Sequence, residues 1–269
     1  GESLGNVDES VYQTTPDNRV PLTARGREQA RAAGEKLREI AGEDGLYYFY
    51  VSPYTRTEET MFEVCKALDV SRITGVREEP RIREQDFGNL QSDGSDGGAP
   101  MGLLKRQRLA FGRFFFRFPD GESAADVYDR VTGFRDTLLA DINMGRFAPG
   151  TAGEDGEGKG EHTVVVVTHG ISLRVFLMRW YKMYVNQFEM LPNPRNCELV
   201  VMERGEGGRY SLMPFHGEEE LRRMGFDDAM IAEQSWHARG DVKELNPKAA
   251  ESARAWLDNV ERKLAAQRD

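Results

Sequence analysis

The stretch Thr163–Tyr181, TVVVVTHGISLRVFLMRWY, decides the fold class of this chain. Its four consecutive valines, Val164–Val167, predict a strand that is buried on both faces, because β-branched side chains fit a covered, pleated surface. The apolar residues then recur at helical spacing. The turn Thr168, His169 and Gly170 therefore joins a buried strand to a helix. Ligands of open α/β sheets bind at such a place, where the free N–H groups of the helix favour an anion.

His169 has two interpretations at this stage. A single histidine is most often a structural side chain whose hydrogen bonds are satisfied within the fold. Its place at the carboxyl end of a central strand instead favours a role in a binding or catalytic site. Both interpretations stay open on this stretch alone.

Composition limits the classes of partner. The chain has 269 residues and a formal net charge of -9, which argues against broad binding to nucleic acids or membrane surfaces. No apolar run approaches the ~20 residues needed to span a bilayer. The cysteines, Cys65 and Cys197, predict no disulfide framework and suit a reducing compartment, so we expect a cytoplasmic protein. An anionic ligand would need a local cluster of basic side chains.

An arginine follows the next predicted strand. The apolar run Leu46–Val51 reads as a strand that ends at Ser52, and a helix is predicted over 57–68. Arg56 lies at this junction, where a guanidinium can donate two N–H groups to a phosphate. An ordinary surface arginine is the equal alternative.

A carboxylate follows the third predicted strand, which covers 72–77. Glu84 lies in the segment EEPRIREQDFGNL and is either a solvated loop side chain or a general acid. The second role requires a pocket in which burial raises the carboxyl pKa.

The remaining elements follow from local patterns. Residues 1–21 are predicted as a loop, and Thr23 as the cap of a helix that reaches Ile40. The basic and aromatic segment 103–118 resembles a nucleic-acid stripe, but a core-facing helix whose basic side flanks the site is the favoured interpretation. Mobile insertions are predicted at 91–102 and 145–161. The further predicted elements are a helix over 124–142, strands over 197–203 and 209–215, and helices near 218–224 and 247–265. We expect the apolar stripe of the last helix to pack back on the domain, and His162, His216 and His237 to lie at the surface.

Six ordered blocks together resemble a known family. They are Gly1-Glu2-Ser3 with Asn6, Leu22-Thr23 with Gly26 and Gln29-Ala30, Ser52-Pro53 with Arg56-Thr57, Glu84 with Phe87-Gly88, Gly121-Glu122-Ser123, and Thr168-His169-Gly170. Their order and strand–turn–helix context resemble the histidine phosphatase superfamily, whose fold is phosphoglycerate-mutase-like. RIREQDFGN, RFPDGESAADV and HGISLRVFLMRW are similar to its plant phosphoglycerate-mutase-like branch.

The resemblance implies an architecture and a chemistry. The fold would be a three-layer α/β/α domain with a mostly parallel central sheet, spanning 1–269 with a C-terminal helical extension at 217–269. Family members attack a phosphomonoester with the histidine of an Arg-His-Gly motif and form a phosphohistidine. Here His169 would be the second pocket histidine, Arg56 the phosphate clamp and Glu84 the acid that protonates the leaving group. Ser3, Asn6 and Gly170 would add phosphate contacts. Neither a metal nor a cofactor is implied, and no metal-ligand spacing occurs.

One departure from the family pattern concerns the nucleophile. The motif's arginine and histidine precede its glycine, and this sequence starts at Gly1. We therefore expect that the chain is truncated and lacks the first strand. The intact parent protein would be a phosphatase for small phosphorylated metabolites, and the chain by itself would be inactive. Two alternatives stay open. One is a cofactor-dependent phosphoglycerate mutase, although the segment from Gly88 to Pro119 lacks an Arg-Arg-Ser-Tyr-like insertion. The other is an inactive module that binds phosphorylated ligands.

Overall fold

A computed structural model describes residues 1–42, 44–88, 101–147, 162–239 and 249–266. The predicted mobile insertions 91–102 and 145–161 lie mostly outside these residues. At their described ends the prediction is wrong, because Met101 and Gly102 begin a helix and Phe147 packs in a core cluster. The chain forms two compact units, residues 1–189 with 193–199 and residues 190–192 with 200–269. The elements are α1 (Leu4–Val7), α2 (Ala24–Ala41), β1 (Leu46–Val51), α3 (Thr55–Cys65), β2 (Ile73–Glu78), α4 (Met101–Phe111), α5 (Ala124–Asn143), β3 (His162–Val167), α6 (Gly170–Trp180), α7 (Val185–Met190), β4 (Glu203–Arg204), β5 (Tyr210–Ser211), α8 (Met213–Arg223), α9 (Asp228–Arg239) and α10 (Ala249–Ala266).

The first unit is built on a parallel sheet in the order β2-β1-β3. Alternate residues of β1 face opposite sides, as the period of a strand requires. Tyr47 and Phe49 pack with α2 and α3, and Tyr50 packs with Phe134 of α5 and Phe176 of α6. Helices therefore cover both faces, and the predicted three-layer α/β/α architecture with a parallel central sheet is confirmed.

The valines of β3 contact both layers. Val165 and Val167 pack on one core, and Val164 and Val166 pack on the other. The prediction of two covered faces is confirmed. Complete burial is wrong, because all six residues of the strand are half-buried. Among the described residues β3 pairs only with β1, so one long edge of the strand is left unpaired.

Two helices begin at the predicted caps. The Oγ1 atom of Thr23 accepts a hydrogen bond from the N–H of Gly26 at 2.9 Å, and α2 starts at the next residue after Thr23. Ser123 and Asp126 form a reciprocal capping box at the start of α5. Such caps satisfy N–H groups that the helix itself leaves without partners. They fix where α2 and α5 begin relative to the sheet.

A glycine allows α2 and α3 to approach closely. A Cβ atom on Gly34 would lie 2.4 Å from the main-chain oxygen of Val64. Any side chain at this position would push the two helices apart. Gly34 therefore has a packing role in addition to its low helix propensity.

The second unit differs from the prediction in its strands. β4 and β5 pair as an antiparallel ladder of two residues each. The predicted strand over 197–203 is wrong before Glu203, where β4 begins. The predicted strand over 209–215 is wrong beyond Ser211, because α8 begins at Met213 with Pro214 in its first turn, where proline is favoured. His216 is buried rather than at the surface, and its Nε2 atom accepts the N–H of Val201 at 2.9 Å.

The last helix does not bury its apolar stripe. Trp256, Leu257 and Leu264 of α10 are 44%, 59% and 52% exposed. The prediction that this stripe packs back on the domain is wrong for these three residues. Among the described residues, no helix has the length and hydropathy of a membrane span.

Candidate active site

The carboxyl ends of β1 and β3 bring two polar side chains together. Ser52 follows β1, and its main-chain N–H donates to the oxygen of Val167 at 3.0 Å. His169 is the N-cap of α6 and is 8% exposed, whereas Ser52 is fully buried. The Oγ atom of Ser52 lies 2.7 Å from Nε2 of His169. The predicted position of His169, between a strand end and a helix N-terminus, is confirmed.

The surroundings of His169 disfavour the charged imidazole. Burial lowers the pKa of His169 well below its ordinary 6.5, and the positive charges of Arg56, Arg130 and the N-terminal amino group lower it further. The ring of Tyr54 packs edge-on at a centroid distance of 5.0 Å. The imidazole is therefore neutral near neutral pH, with one N–H to donate and one nitrogen lone pair to accept.

Arg56 carries a partner that sequence reasoning did not anticipate. Its Nη1 atom donates to the main-chain oxygen and to Oδ1 of Asp17, at 2.6 and 2.9 Å. Nη2 lies 3.5 Å from Oδ2 of the same carboxylate. The guanidinium carbon also lies 4.8 Å from the ring centroid of Tyr54. Arg56 is thus a fixed residue of the site and not a free surface arginine.

Glu84 lies in the same electrostatic environment. Burial raises its pKa above the ordinary 4.5, and the negative charge of Asp17 acts in the same direction. A hydrogen bond from the N–H of Gln85 at 3.0 Å, together with the charges of Arg56 and Arg174, opposes this rise without cancelling it. The carboxyl group therefore keeps a proton to a higher pH than an exposed glutamate does. That property suits a general acid.

Arg130 of α5 holds the loop that carries Glu84. Its Nη1 atom donates to the oxygens of Arg81 and Arg83 at 2.7 and 2.9 Å, and Nη2 donates to the oxygen of Glu84 at 3.0 Å. The carboxylate of Glu122 accepts from Nη2 as well, also at 3.0 Å. One guanidinium thus ties the loop to the start of α5, close to the Gly-Glu-Ser block.

The N-terminal residues also reach this site. The amino group of Gly1 donates to Oγ1 of Thr60 at 3.0 Å, and its charge acts on His169. Ser3 is buried, and its N–H donates to Oδ1 of Asn6 at 3.0 Å. The side chain of Asn6 is therefore engaged locally in α1.

Gly170 is the first residue of α6. A Cβ atom there would lie 3.0 Å from Oδ1 of Asn193. The backbone at the helix N-terminus is thus tightly packed beside His169, and a residue with a side chain would crowd Asn193.

Arg174 is a buried cation near Glu84 that sequence reasoning missed. It is 3% exposed, and burial, followed by repulsion from Arg113 and Arg108, lowers its pKa to about 10. A detectable signal existed, because Arg174 lies between Leu173 and Val175 in a mostly apolar helix. Asp17 had no such signal. In the part of the chain that the structure describes, no group of three or more His, Cys, Asp or Glu side chains is placed to hold a metal ion.

Comparisons with known proteins agree with this geometry. Residues 1–213 match the histidine phosphatase superfamily (branch 1). The chain is 47% identical to a phosphoglycerate mutase-like protein of Arabidopsis thaliana, over 87% of this chain and 82% of that protein. It is 45% identical to a broad-range acid phosphatase of Saccharomyces cerevisiae, over 51% of this chain and 37% of that protein.

A solved structure supports the fold. YhfR of Bacillus stearothermophilus superposes with a TM-score of 0.53 at 22% identity, over 78% of this chain and 90% of that chain. The family match covers the whole first unit, including both strand ends at which His169 and Arg56 lie. This chain belongs to the histidine phosphatase superfamily.

Proposed function

We propose that this protein is a phosphomonoester phosphatase that acts on small phosphorylated metabolites through a phosphohistidine intermediate. One observation carries the proposal. The ring of Tyr54 lies against both the guanidinium of Arg56, at 4.8 Å, and the imidazole of His169, at a centroid distance of 5.0 Å, and the charge of Arg56 acts on the pKa of both His169 and Glu84. These contacts support a site in which a cation, a neutral imidazole and a proton-holding carboxyl group lie together. These are the groups that transfer of a phosphoryl group requires.

Each side chain has a distinct role in the proposed reaction. His169 donates its N–H to a phosphoryl oxygen, and Arg56 neutralises the charge that develops on the equatorial oxygens. Glu84 gives its proton to the oxygen of the leaving alcohol as the bond to phosphorus breaks. The main chain of Gly170, together with Ser3 and Asn6, supplies weaker contacts at the helix N-termini.

The proposed nucleophile is a histidine outside the site described so far. We propose that Gly1 corresponds to the glycine of the family's Arg-His-Gly motif and that turnover depends on the histidine of that motif. The nitrogen of Gly1 lies 3.0 Å from Oγ1 of Thr60, which donates to the main-chain oxygen of Arg56, and this supports a residue joined to Gly1 lying near Arg56. On this proposal, residues 1–269 bind phosphate but do not turn over an ester.

Hydrolysis of para-nitrophenyl phosphate tests the proposal. A protein with Arg-His joined to Gly1 should hydrolyse this ester, and residues 1–269 should not. His169→Ala and Glu84→Gln should each lower the rate of the extended protein by about hundredfold or more. Glu78→Gln, which changes an exposed glutamate at the end of β2, is the matched control and should keep full activity. Equal rates for Glu84→Gln and Glu78→Gln would contradict the assigned role of Glu84.

A mutase is the second candidate, because the Arabidopsis thaliana relative carries a phosphoglycerate mutase-like name. The extended protein should hydrolyse phosphoglycerates faster than it interconverts them. Interconversion at the higher rate would favour the mutase. Phosphate binding without either reaction would favour a module that only binds phosphorylated ligands.

A further inference from the structure

Asp17 is paired with Arg56, the proposed ligand of the phosphoryl group. Within the described residues it is the one acidic side chain at ion-pair distance from Arg56. The carboxylate is 26% exposed and the guanidinium 13%, so both reach the solvent-accessible part of the site. The main-chain oxygen of Asp17 accepts from the same Nη1 atom at 2.6 Å, which fixes the carboxylate in place. A phosphate bound by Arg56 would therefore lie next to a second anion.

Two anions beside one guanidinium repel each other unless a proton lies between them. A phosphomonoester loses its second proton with a pKa of about 6, so its monoanion still carries a P–OH group on the acidic side of that value. The carboxylate of Asp17 can accept a hydrogen bond from this hydroxyl. The dianion has no such proton and meets only repulsion.

Other titratable groups face the ion pair of Asp17 and Arg56, and the titration of one of them competes with the ionisation of the ligand. They are Tyr12 and Glu9 from the N-terminal segment, Tyr54 before α3, Glu84 from its loop, and His169 at α6. Burial raises the pKa of Tyr12 and raises that of Tyr54 to about 12, so both phenols stay neutral. His169 also stays neutral. Burial raises the pKa of Glu84, so the charge of Glu84 is the one that has to be separated from the ionisation of the ligand.

We propose that Asp17 makes this site select the monoanion of a phosphoryl group, with the P–OH group donating to the Asp17 carboxylate while Arg56 binds another oxygen. No proton is transferred on binding, since the hydrogen stays on the phosphoryl oxygen. The inference rests on the proposed role of Arg56 as a phosphate ligand. It deepens that function, because it makes the preferred substrate a singly charged ester and the preferred pH an acidic one.

The test is an equilibrium titration of residues 1–269 with inorganic phosphate and, separately, with sulfate. Phosphate changes between monoanion and dianion over the pH series, whereas sulfate stays a dianion. The affinity of the unchanged protein for phosphate should fall by about tenfold per pH unit above the second ionisation of phosphate, because only the monoanion binds. In Asp17→Asn this fall should flatten, and the affinity for sulfate should rise by about tenfold or more.

Two controls separate Asp17 from other carboxylates. Asp44→Asn removes a carboxylate that is also paired with an arginine, Arg72, at 2.9 Å but is 88% exposed. This variant should keep the profile of the unchanged protein. Glu84→Gln removes the competing titration of Glu84. In the Glu84→Gln background, Asp17→Asn should still flatten the pH dependence of phosphate affinity.

Three outcomes would overturn the inference or its basis. An equally steep phosphate profile in Asp17→Asn overturns it. A uniform change in the affinity of Asp17→Asn for both anions at every pH also overturns it. A uniform gain would mean that Asp17 only competes with the ligand, and a uniform loss would mean that Asp17 only supports Arg56. Binding that is absent, or unchanged in Arg56→Gln, refutes instead the proposed function of Arg56, whatever Asp17 does.

Discussion

The hydroxyl oxygen of Ser52 lies 2.7 Å from Nε2 of His169, and Ser52 is fully buried. A buried imidazole whose ring nitrogen has a fixed partner is held in one orientation and one tautomer. Ser52→Ala removes that partner. We expect the tautomer ratio of His169, measured by nitrogen NMR, to shift.

The same variant should lower phosphatase activity. Because the imidazole loses its orientation, we expect Ser52→Ala to lower the hydrolysis rate of the extended protein by about tenfold or more. Ser71→Ala, which changes an exposed serine at a turn, serves as the control. An unchanged tautomer ratio in Ser52→Ala would show that the serine does not orient the ring.

Glu84 should make stability depend on pH in a definite direction. Its pKa is raised in the folded protein, so the fold favours the protonated carboxyl. That stabilisation is present below the ordinary pKa of 4.5 and is lost as pH rises through the folded-state value. Glu84→Gln carries no charge at any pH. We expect urea unfolding to show a gain in stability for Glu84→Gln that grows as pH rises above the ordinary pKa of 4.5.

The exposed Glu78→Gln should show no such trend over the same series. A constant difference between Glu84→Gln and the unchanged protein would mean that Glu84 is solvated like an ordinary surface carboxylate.

Arg130 should contribute to stability as well as to the site. Arg130→Gln leaves three main-chain oxygens without their charged donor and leaves the carboxylate of Glu122 with its ion pair to Arg83 but not the one to Arg130. The side chain is 11% exposed, so water replaces these contacts poorly. We expect the free energy of unfolding to fall by about 2 kcal/mol or more. Arg117→Gln breaks an ion pair whose arginine is 59% exposed, and it should cost less than about 1 kcal/mol.

Two helix glycines should respond in opposite ways to alanine. A Cβ atom on Gly34 would lie 2.4 Å from the oxygen of Val64, so Gly34→Ala should cost about 1–3 kcal/mol. The nearest atom to a Cβ on Gly133 of α5 is Nη1 of Arg81, at 3.7 Å. Gly133→Ala should therefore stabilise the protein by about 0.5–1 kcal/mol. Thermal unfolding measures both, and a loss of stability in both variants would refute the steric argument at Gly34.

Local patterns predicted the elements that carry the site. β1 has the predicted bounds because its aromatic residues face two cores in alternation, and α2 and α5 begin after caps that lie next to them in sequence. The positions of Arg56, Glu84 and His169 after the ends of predicted strands then indicated them as candidate site residues. The roles of these three residues stay a prediction, as do those of Ser3, Asn6 and Gly170.

Contacts between distant segments were not predictable in this way. Asp17 lies 39 positions from Arg56 in a polar loop without periodicity, so nothing local indicates their pairing. Arg130 reads as one more polar residue of an amphipathic helix. His216 was misassigned because a polar segment follows it, although Leu212, four residues before it, is fully buried. Whether a polar side chain is buried depends on the partner that it contacts in the folded protein. A local sequence pattern does not contain that information.

The edge of β3 that no other described strand pairs has a consequence for handling the protein. The other edge of the sheet, β2, ends in Arg77 and Glu78, both exposed, and such charges discourage pairing with another strand. β3 instead presents uncharged Thr163 and four valines along its length. An apolar strand edge that lacks such charges has no comparable barrier to pairing with another strand. A charged residue in place of Thr163 would therefore give β3 the kind of protection that Arg77 and Glu78 give β2.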